Sequence, residues 1–218
     1  MTRIIIFALS TLIFIYLSHR ALLNPRSHGF YRFFVFEIIL ILLLLNQHHW
    51  FSEPFSSIHI ISWLFLGFSI YLVIQALIVL RQCGGHGERE DMPENFSFEN
   101  TVNIVETGSY RYIRHPMYGS LLFLAWGTFL KHVTILNCGM VITATILLIA
   151  VSKVEENENI AYFGQPYIDY MRRTNMFIPQ FFSALLHKTC KEKQENKGNV
   201  QLNGFITKTR HLLTACLL

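Results

Sequence analysis

Charge is what this sequence has least of. Asp, Glu, Lys and Arg supply 15% of its 218 residues, where soluble domains carry about a quarter. A water-soluble globule of ordinary surface is thereby disfavoured. The net charge is only +4, with no lysine-rich block, so there is no electrostatic footprint for nucleic acid. Cysteine is sparse too. Cys83, Cys138, Cys190 and Cys216 form no CxxC pair and no Cys/His spacing of a zinc site, so four free thiols and no metal are expected. Cys216 stands third from the end, where a prenylation box needs cysteine fourth. The glycines of "CGGHGERED" lack the spacing and the following Lys-Ser/Thr of a phosphate loop. That stretch reads as a flexible connector, and its His86 is given no role. Asn95 opens a glycosylation sequon, but on a loop expected to be cytoplasmic.

What remains is apolar. Hydrophobic residues make up 52% of the chain, with nineteen phenylalanines. Five runs approach the roughly 20 apolar residues a bilayer core demands: Ile4–Leu17, Phe33–Leu45, Ile58–Leu80, Tyr118–Leu130 and Val133–Val151. The first has the length of a signal peptide but no small-residue cleavage site, and Arg20 follows it, so it is read as a span. The fourth is short. Only Lys131 and His132 part it from the fifth, which makes the pair a tight helical hairpin. The expected fold is an all-α integral membrane protein with about five transmembrane helices, the last two a short hairpin, plus a cytosolic C-terminal helical segment. Residues 1–81 would hold the first three spans, 82–100 a flexible cytosolic connector, 101–180 the core that carries function and 181–218 a polar tail. A weak amphipathic piece, Phe205 to Leu218, ends the sequence.

Arginine bias sets the orientation. Arg20, Arg26 and Arg32 lie in the first loop, Arg81, Arg89, Arg111 and Arg114 in the third, and Lys153, Arg172 and Arg173 after the fifth span. The second loop, "NQHHWFSEPFSS", has neither Lys nor Arg. The first loop, the third loop and the C-terminus are therefore expected on the cytoplasmic face, with Arg3 and Lys131 the only dissenters. Beyond the fifth span, Gly164 and Pro166 are expected to divide "KVEENENIAYFGQPYIDYMRR" into two short helices, and Pro179 to end it.

Chemistry is concentrated at one boundary. "YRYIRHPMYGS" sets Arg111, Arg114 and His115 directly before an apolar helix. A surface salt bridge with interfacial aromatics would explain charge there. It does not explain Pro116, which fixes the first helical turn and keeps His115 out of helical conformation. It does not explain Gly119 either, which admits a close neighbour. Because the hairpin's two cytoplasmic ends adjoin, Arg114 and His115 should meet Glu155 and Glu156 about 40 residues later.

"GSYRYIRHPMYG", an apolar hairpin, "EE", "FG..Y..Y" and a later "IP" together resemble the isoprenylcysteine carboxyl methyltransferase family, grouped with the phospholipid N-methyltransferases. The resemblance covers about Thr101 to Pro179. It implies a membrane-embedded enzyme with an S-adenosyl-L-methionine site outside any Rossmann fold, on the cytosolic face. It also implies a lipophilic acceptor, a prenylcysteine carboxylate or similar, taken from among membrane lipid. It assigns cofactor contacts to Ile104, Val105, Tyr110, His115, Pro116, Met117, Tyr118 and Glu155. The chemistry of the donor fits these groups. Glutamates suit its ammonium or ribose hydroxyls, Arg114 or His115 its carboxylate, and tyrosine faces its sulfonium or adenine. Arg114 and Glu156 are the candidate catalytic residues, with Glu156 or His115 the available base for an amine acceptor. Methyl transfer from a sulfonium requires alignment and exclusion of water, and no metal.

Val151 departs from the pattern. Relatives that methylate prenylcysteine carboxylates carry arginine there, and Lys153 is turned about 200° away along an α-helix. Glu158 and Asn159 stand where leucines are usual. Glu37, inside the second span, is read as an interfacial ion pair with nearby Arg32. Two rival functions remain: an NADPH-dependent sterol-type membrane reductase, which shares an "RHPxY"-like turn, and a non-enzymatic membrane protein with a decayed site.

Overall fold

The computed structural model describes residues 1–85 and 101–179. Expectations for His86, Asn95, Cys190, Cys216, most of the connector, the polar tail and its amphipathic end lie outside the described residues. Among those described there are six α-helices and no strand: α1 Thr2–Leu22, α2 His28–Asn46, α3 Ser57–Cys83, α4 Pro116–Phe129, α5 Ile135–Phe163 and α6 Gln165–Arg173. Helices α1, α2, α3 and α5 are long and apolar enough to cross a membrane. The 14 residues of α4 span only about 21 Å, short of the roughly 30 Å hydrocarbon core. The protein is an all-α integral membrane protein, and among the described residues five helices are apolar, four of them of spanning length.

Local chemistry sets the boundaries. Ser56 and Thr134 cap α3 and α5, accepting from the amides of His59 and Asn137, which satisfies donors a helix start leaves open. Pro116 occupies the first turn of α4. Gly164, at φ 66° and ψ −139°, ends α5 in a conformation few residues other than glycine adopt.

Two boundaries and one packing partnership differ from the sequence expectation. First, α5 runs unbroken to Phe163, so "KVEENENIAYF" is the continuation of the fifth span and only Gly164 breaks it. The polar stretch keeps helical spacing and contains no breaker before that glycine, and nothing obliges a helix to stop where lipid stops. Second, α3 runs to Cys83, so residues 82 and 83 of the expected connector are helical. Gly84 then receives the amides of Val102 and Asn103 on its carbonyl, at 3.0 and 3.1 Å. Third, α4 packs most extensively on α3, with α5 a lesser neighbour. Ser62 and Ser69 of α3 donate to the carbonyls of Gly127 and Ser120, at 2.6 and 2.7 Å, and Gly127 lets Leu66 lie against its backbone. Small residues and interhelical hydrogen bonds are how helices associate where lipid removes the hydrophobic drive.

The core is shared by α2, α4 and α5: Val35, Ile39 and Leu42 meet Tyr118, Ala125 and Phe129, and Val141, Ala144, Leu148 and Val151. At the end of the bundle away from His115, Asn46 donates to the Thr128 carbonyl at 3.0 Å and accepts from Asn137 at 2.7 Å. His49 stacks on His132 there, 3.8 Å between centroids. Lys131 is buried, its ammonium 3.5 Å from the centre of the Trp63 ring, and burial lowers its pKa from the ordinary lysine value. Inside the membrane, Glu37 accepts from the Thr11 hydroxyl at 2.9 Å, linking α1 to α2.

Candidate active site

Everything singled out around Arg114 depends on how residues 101–115 return from α3 to α4. Gly108 (φ 59°) opens a 3-10 turn, Gly108–Arg111, whose Ser109 amide donates to Gln75 Oε1 of α3 at 3.1 Å. Tyr112 to His115 then run beside the chain that follows α6. The Asn175 amide donates to the Tyr112 carbonyl, and the Arg114 and His115 amides donate to the carbonyls of Asn175 and Met176 at 2.8 and 3.1 Å. His115 lies just outside α4 at φ −122° and ψ 65°, the non-helical conformation that a following proline favours.

Two side chains from this stretch meet α5. Arg114 Nε donates to Glu156 Oε1 at 2.7 Å. Its Nη1 donates to the carbonyls of Met171, at 3.0 Å, and Thr174. The ion pair is nearly closed to solvent, with 12% of the arginine side chain and 6% of the glutamate exposed. The His115 ring lies between the two glutamates, Nδ1 3.7 Å from Glu155 Oε1 and Nε2 3.6 Å from Glu156 Oε1. It stacks on Tyr118, 5.6 Å between centroids. Its Nε2 is buried and faces Glu156 just beyond hydrogen-bond distance.

These residues wall a cleft of about 100 Å³. Of the residues singled out in the sequence, Ile104, Val105, Tyr110, Arg114, His115, Met117, Tyr118 and Glu155 line it. Glu156 and Pro116 do not. Glu156 sits behind the wall, paired with Arg114, and Pro116 is buried at the start of α4. Tyr167 and Tyr170 of α6 close the opposite side, and the Tyr170 hydroxyl donates to the Tyr110 carbonyl at 2.7 Å. Burial raises both tyrosine pKa values from the ordinary phenol value, with nearby Glu155 adding to the rise at Tyr167, so both stay neutral. Outside, Arg173 pairs with Glu106 at 3.1 Å.

Leu80, Thr101 and Asn103, which no motif singled out, also line the cleft, together with Asn159 and the Phe163 of "FG..Y..Y". They are ordinary residues brought in by the return of 101–105 against α3 and by the unbroken length of α5. Gln75 was missed as well. Its signal was visible: a single amide in the apolar run "IYLVIQALIVL". Glu158 is turned away from the cleft. It accepts from the amide of His28 at 3.1 Å and meets His28 Nδ1 at 2.5 Å, tying the α5 extension to the start of α2.

A sequence model of the phospholipid methyltransferases matches residues 57–166, just over half of the chain. The chain belongs to the phospholipid methyltransferase family. The part shared with that family begins at α3 and ends at the first turn of α6, so it contains the turn at Gly108, the His115 junction and both glutamates. It does not contain the chain at 174–176 that bonds to Arg114 and His115. Among curated relatives, a methanethiol S-methyltransferase of Pseudomonas deceptionensis is 30% identical over 70 residues, 32% of this chain and 26% of that protein. Methanethiol S-methyltransferase 2 of Bradyrhizobium diazoefficiens is 35% identical over 74 residues, 34% of this chain and 28% of that protein. The matched region thus spans about a quarter of the length of these relatives. No solved structure matches the chain significantly.

The groups present suit S-adenosyl-L-methionine. One carboxylate, Glu155, is partly open to the cleft, with 29% of its side chain exposed. The His115 ring lies beside it. Tyr110, Tyr118 and Tyr167 offer aromatic surface, with Ile104, Val105 and Met117 as apolar wall.

Proposed function

We propose that this protein is an S-adenosyl-L-methionine-dependent methyltransferase of the membrane, acting at the cytoplasmic end of the bundle on a small thiol. The observation that carries the reading is the His115 junction. The His115 ring lines the cleft beside Glu155, with Glu156 behind it holding Arg114, inside the segment that the family shares. When bound, the donor supplies a methyl carbon made electrophilic by its sulfonium. Glu155 is suited to the donor's ammonium or ribose hydroxyls. Tyr110 and Tyr118 present electron-rich faces of the kind that hold a cation.

The acceptor reading rests on charge and on the names of the relatives. Among the described residues lining the cleft, Arg114 is the only cation, and Glu156 and two carbonyls engage it. Val151, where carboxylate-methylating relatives carry arginine, is fully buried in the core against α2 and α4. A prenylcysteine carboxylate would therefore meet acidic neighbours and no free cation. A thiol needs none. Once its proton has passed to solvent the thiolate is intrinsically nucleophilic, so the protein has then to align it with the methyl carbon and exclude water.

The test uses the detergent-purified full chain. Equilibrium titration should show binding of S-adenosyl-L-methionine and none of NADPH. Methyl transfer should be detected to short alkyl thiols and be much slower to a farnesylated cysteine analogue. Binding of NADPH alone would replace this reading with the reductase. Efficient methylation of the farnesylated carboxylate would keep the donor site and overturn the thiol.

A further inference from the structure

The polar side chains of α3 divide into two sets. Ser62 and Ser69 bond carbonyls of α4, which accounts for them as helix-packing groups. Gln75 does something else. One turn apart along the same stripe, Gln75, Val79 and Cys83 seat three consecutive residues of the returning chain. Thr107 Oγ1 contacts Cys83 Sγ at 3.4 Å. A Cβ on Gly108 would lie 2.8 Å from a Val79 methyl and 2.6 Å from Gln75 Nε2. The Ser109 amide donates to Gln75 Oε1. The next residue is Tyr110. Its amide bonds back to the Thr107 carbonyl at 3.1 Å, and its own carbonyl takes the Tyr170 hydroxyl.

We infer that Gln75 is a positioning residue for the donor wall of the cleft, fixing the Gly108–Arg111 turn and through it Tyr110. This rests on the reading of the cleft as the methyl-donor site. Val79 and Cys83 pack against the turn, but among the described residues Gln75 Oε1 is the α3 side-chain atom that receives one of its backbone amides. The Ser109 hydroxyl is buried without a partner, so it does not substitute for the amide contact. A leucine at 75 would suit the surrounding apolar helix better than glutamine does. Its presence is explained by the turn and by nothing within α3.

The experiment measures donor binding as well as turnover. In Gln75→Leu, the Kd for S-adenosyl-L-methionine should rise about tenfold, the loss expected when a partly buried amide loses its acceptor. At saturating donor, kcat should stay within about threefold, because Gln75 touches no reacting group. Gln75→Glu keeps an oxygen for the Ser109 amide and should recover most of the affinity. Gly108→Ala leaves α3 intact and presses on the same contact from the other side, at a positive φ. It should weaken donor binding similarly, and it keeps the test alive should the leucine variant fail to fold. Wild-type protein that binds no donor would remove the underlying reading of the cleft. Wild type that binds, with Gln75→Leu and Gly108→Ala binding equally well, would overturn the role of Gln75. So would a leucine defect that tracks a fall in Tm and is not recovered by glutamate.

Discussion

Replacing Glu156 by glutamine leaves the Arg114 guanidinium without a counter-charge in a setting where 12% of its side chain is exposed. Breaking a well-buried ion pair from one side costs about 3–5 kcal/mol. Here the glutamine carbonyl can still accept from Arg114 Nε, and the Met171 and Thr174 carbonyls remain on Nη1. The expected cost is therefore about 2–3 kcal/mol, a fall in Tm of roughly 4–12 °C for a domain of this size. Glu155→Gln should behave differently, although the residues are adjacent. Glu155 is more exposed and reaches His115 only at 3.7 Å, so stability should change by about 0.5 kcal/mol or less. Its carboxylate faces the cleft, however, and donor affinity should fall about 10- to 100-fold as a charge-assisted hydrogen bond is lost. Thermal melts of the detergent-solubilised variants, paired with titration of the donor, separate the two effects. If Glu156→Gln melts like wild type, or Glu155→Gln loses as much Tm as its neighbour, the division of labour between these glutamates is wrong.

Tyr170→Phe removes the bond to the Tyr110 carbonyl and should lower stability by about 1 kcal/mol, with donor affinity down a few-fold by titration. Gly164→Ala meets no neighbouring atom within 4 Å, so its expected cost of about 1–3 kcal/mol is backbone strain alone. A melt that matches wild type would refute the conformation given for the α5–α6 junction. For orientation, cysteine placed at His48 should be labelled by an impermeant reagent from outside intact cells, and cysteine at the exposed Lys153 only after lysis. Labelling of both from one side would put the second loop and the α5 extension on the same face.

The hydrophobic helices were legible because bilayer thickness imposes a length on them. Proximity of Arg114 and His115 to Glu155 and Glu156 was legible from the hairpin alone. Their roles were not. Sequence spacing could not distinguish Glu156, which turns inward to Arg114, from Glu155, which turns to the cleft. That difference depends on α5 continuing as one helix past the core, which the polar composition of "KVEENENIAYF" concealed. The partnership of α4 with α3 was hidden for another reason. It is carried by Ser62, Ser69 and Gly127, small residues whose packing value lies in what they permit rather than in any periodic signal. Gln75 shows the opposite failure: a conspicuous residue whose partner, Ser109, lies 34 positions away.

The bonds from Arg114 and His115 to Asn175 and Met176 also impose an order on synthesis. Ribosomes add about 5–20 residues per second, so some 60 residues, or roughly 3–12 s, separate the first half of this pairing from the second. Through that interval α1 to α4 can already meet in the bilayer, since their contacts need nothing later than Phe129. The amides of Arg114 and His115, and the Arg114 guanidinium, have no such partners yet. The nascent chain is a membrane protein before its cleft is walled, and the cleft matures only when the stretch after α6 has left the ribosome. Premature termination anywhere between 164 and 173 should then leave inserted spans with an unformed cleft, a product distinguishable by the Arg114 end of the bundle rather than by its spans.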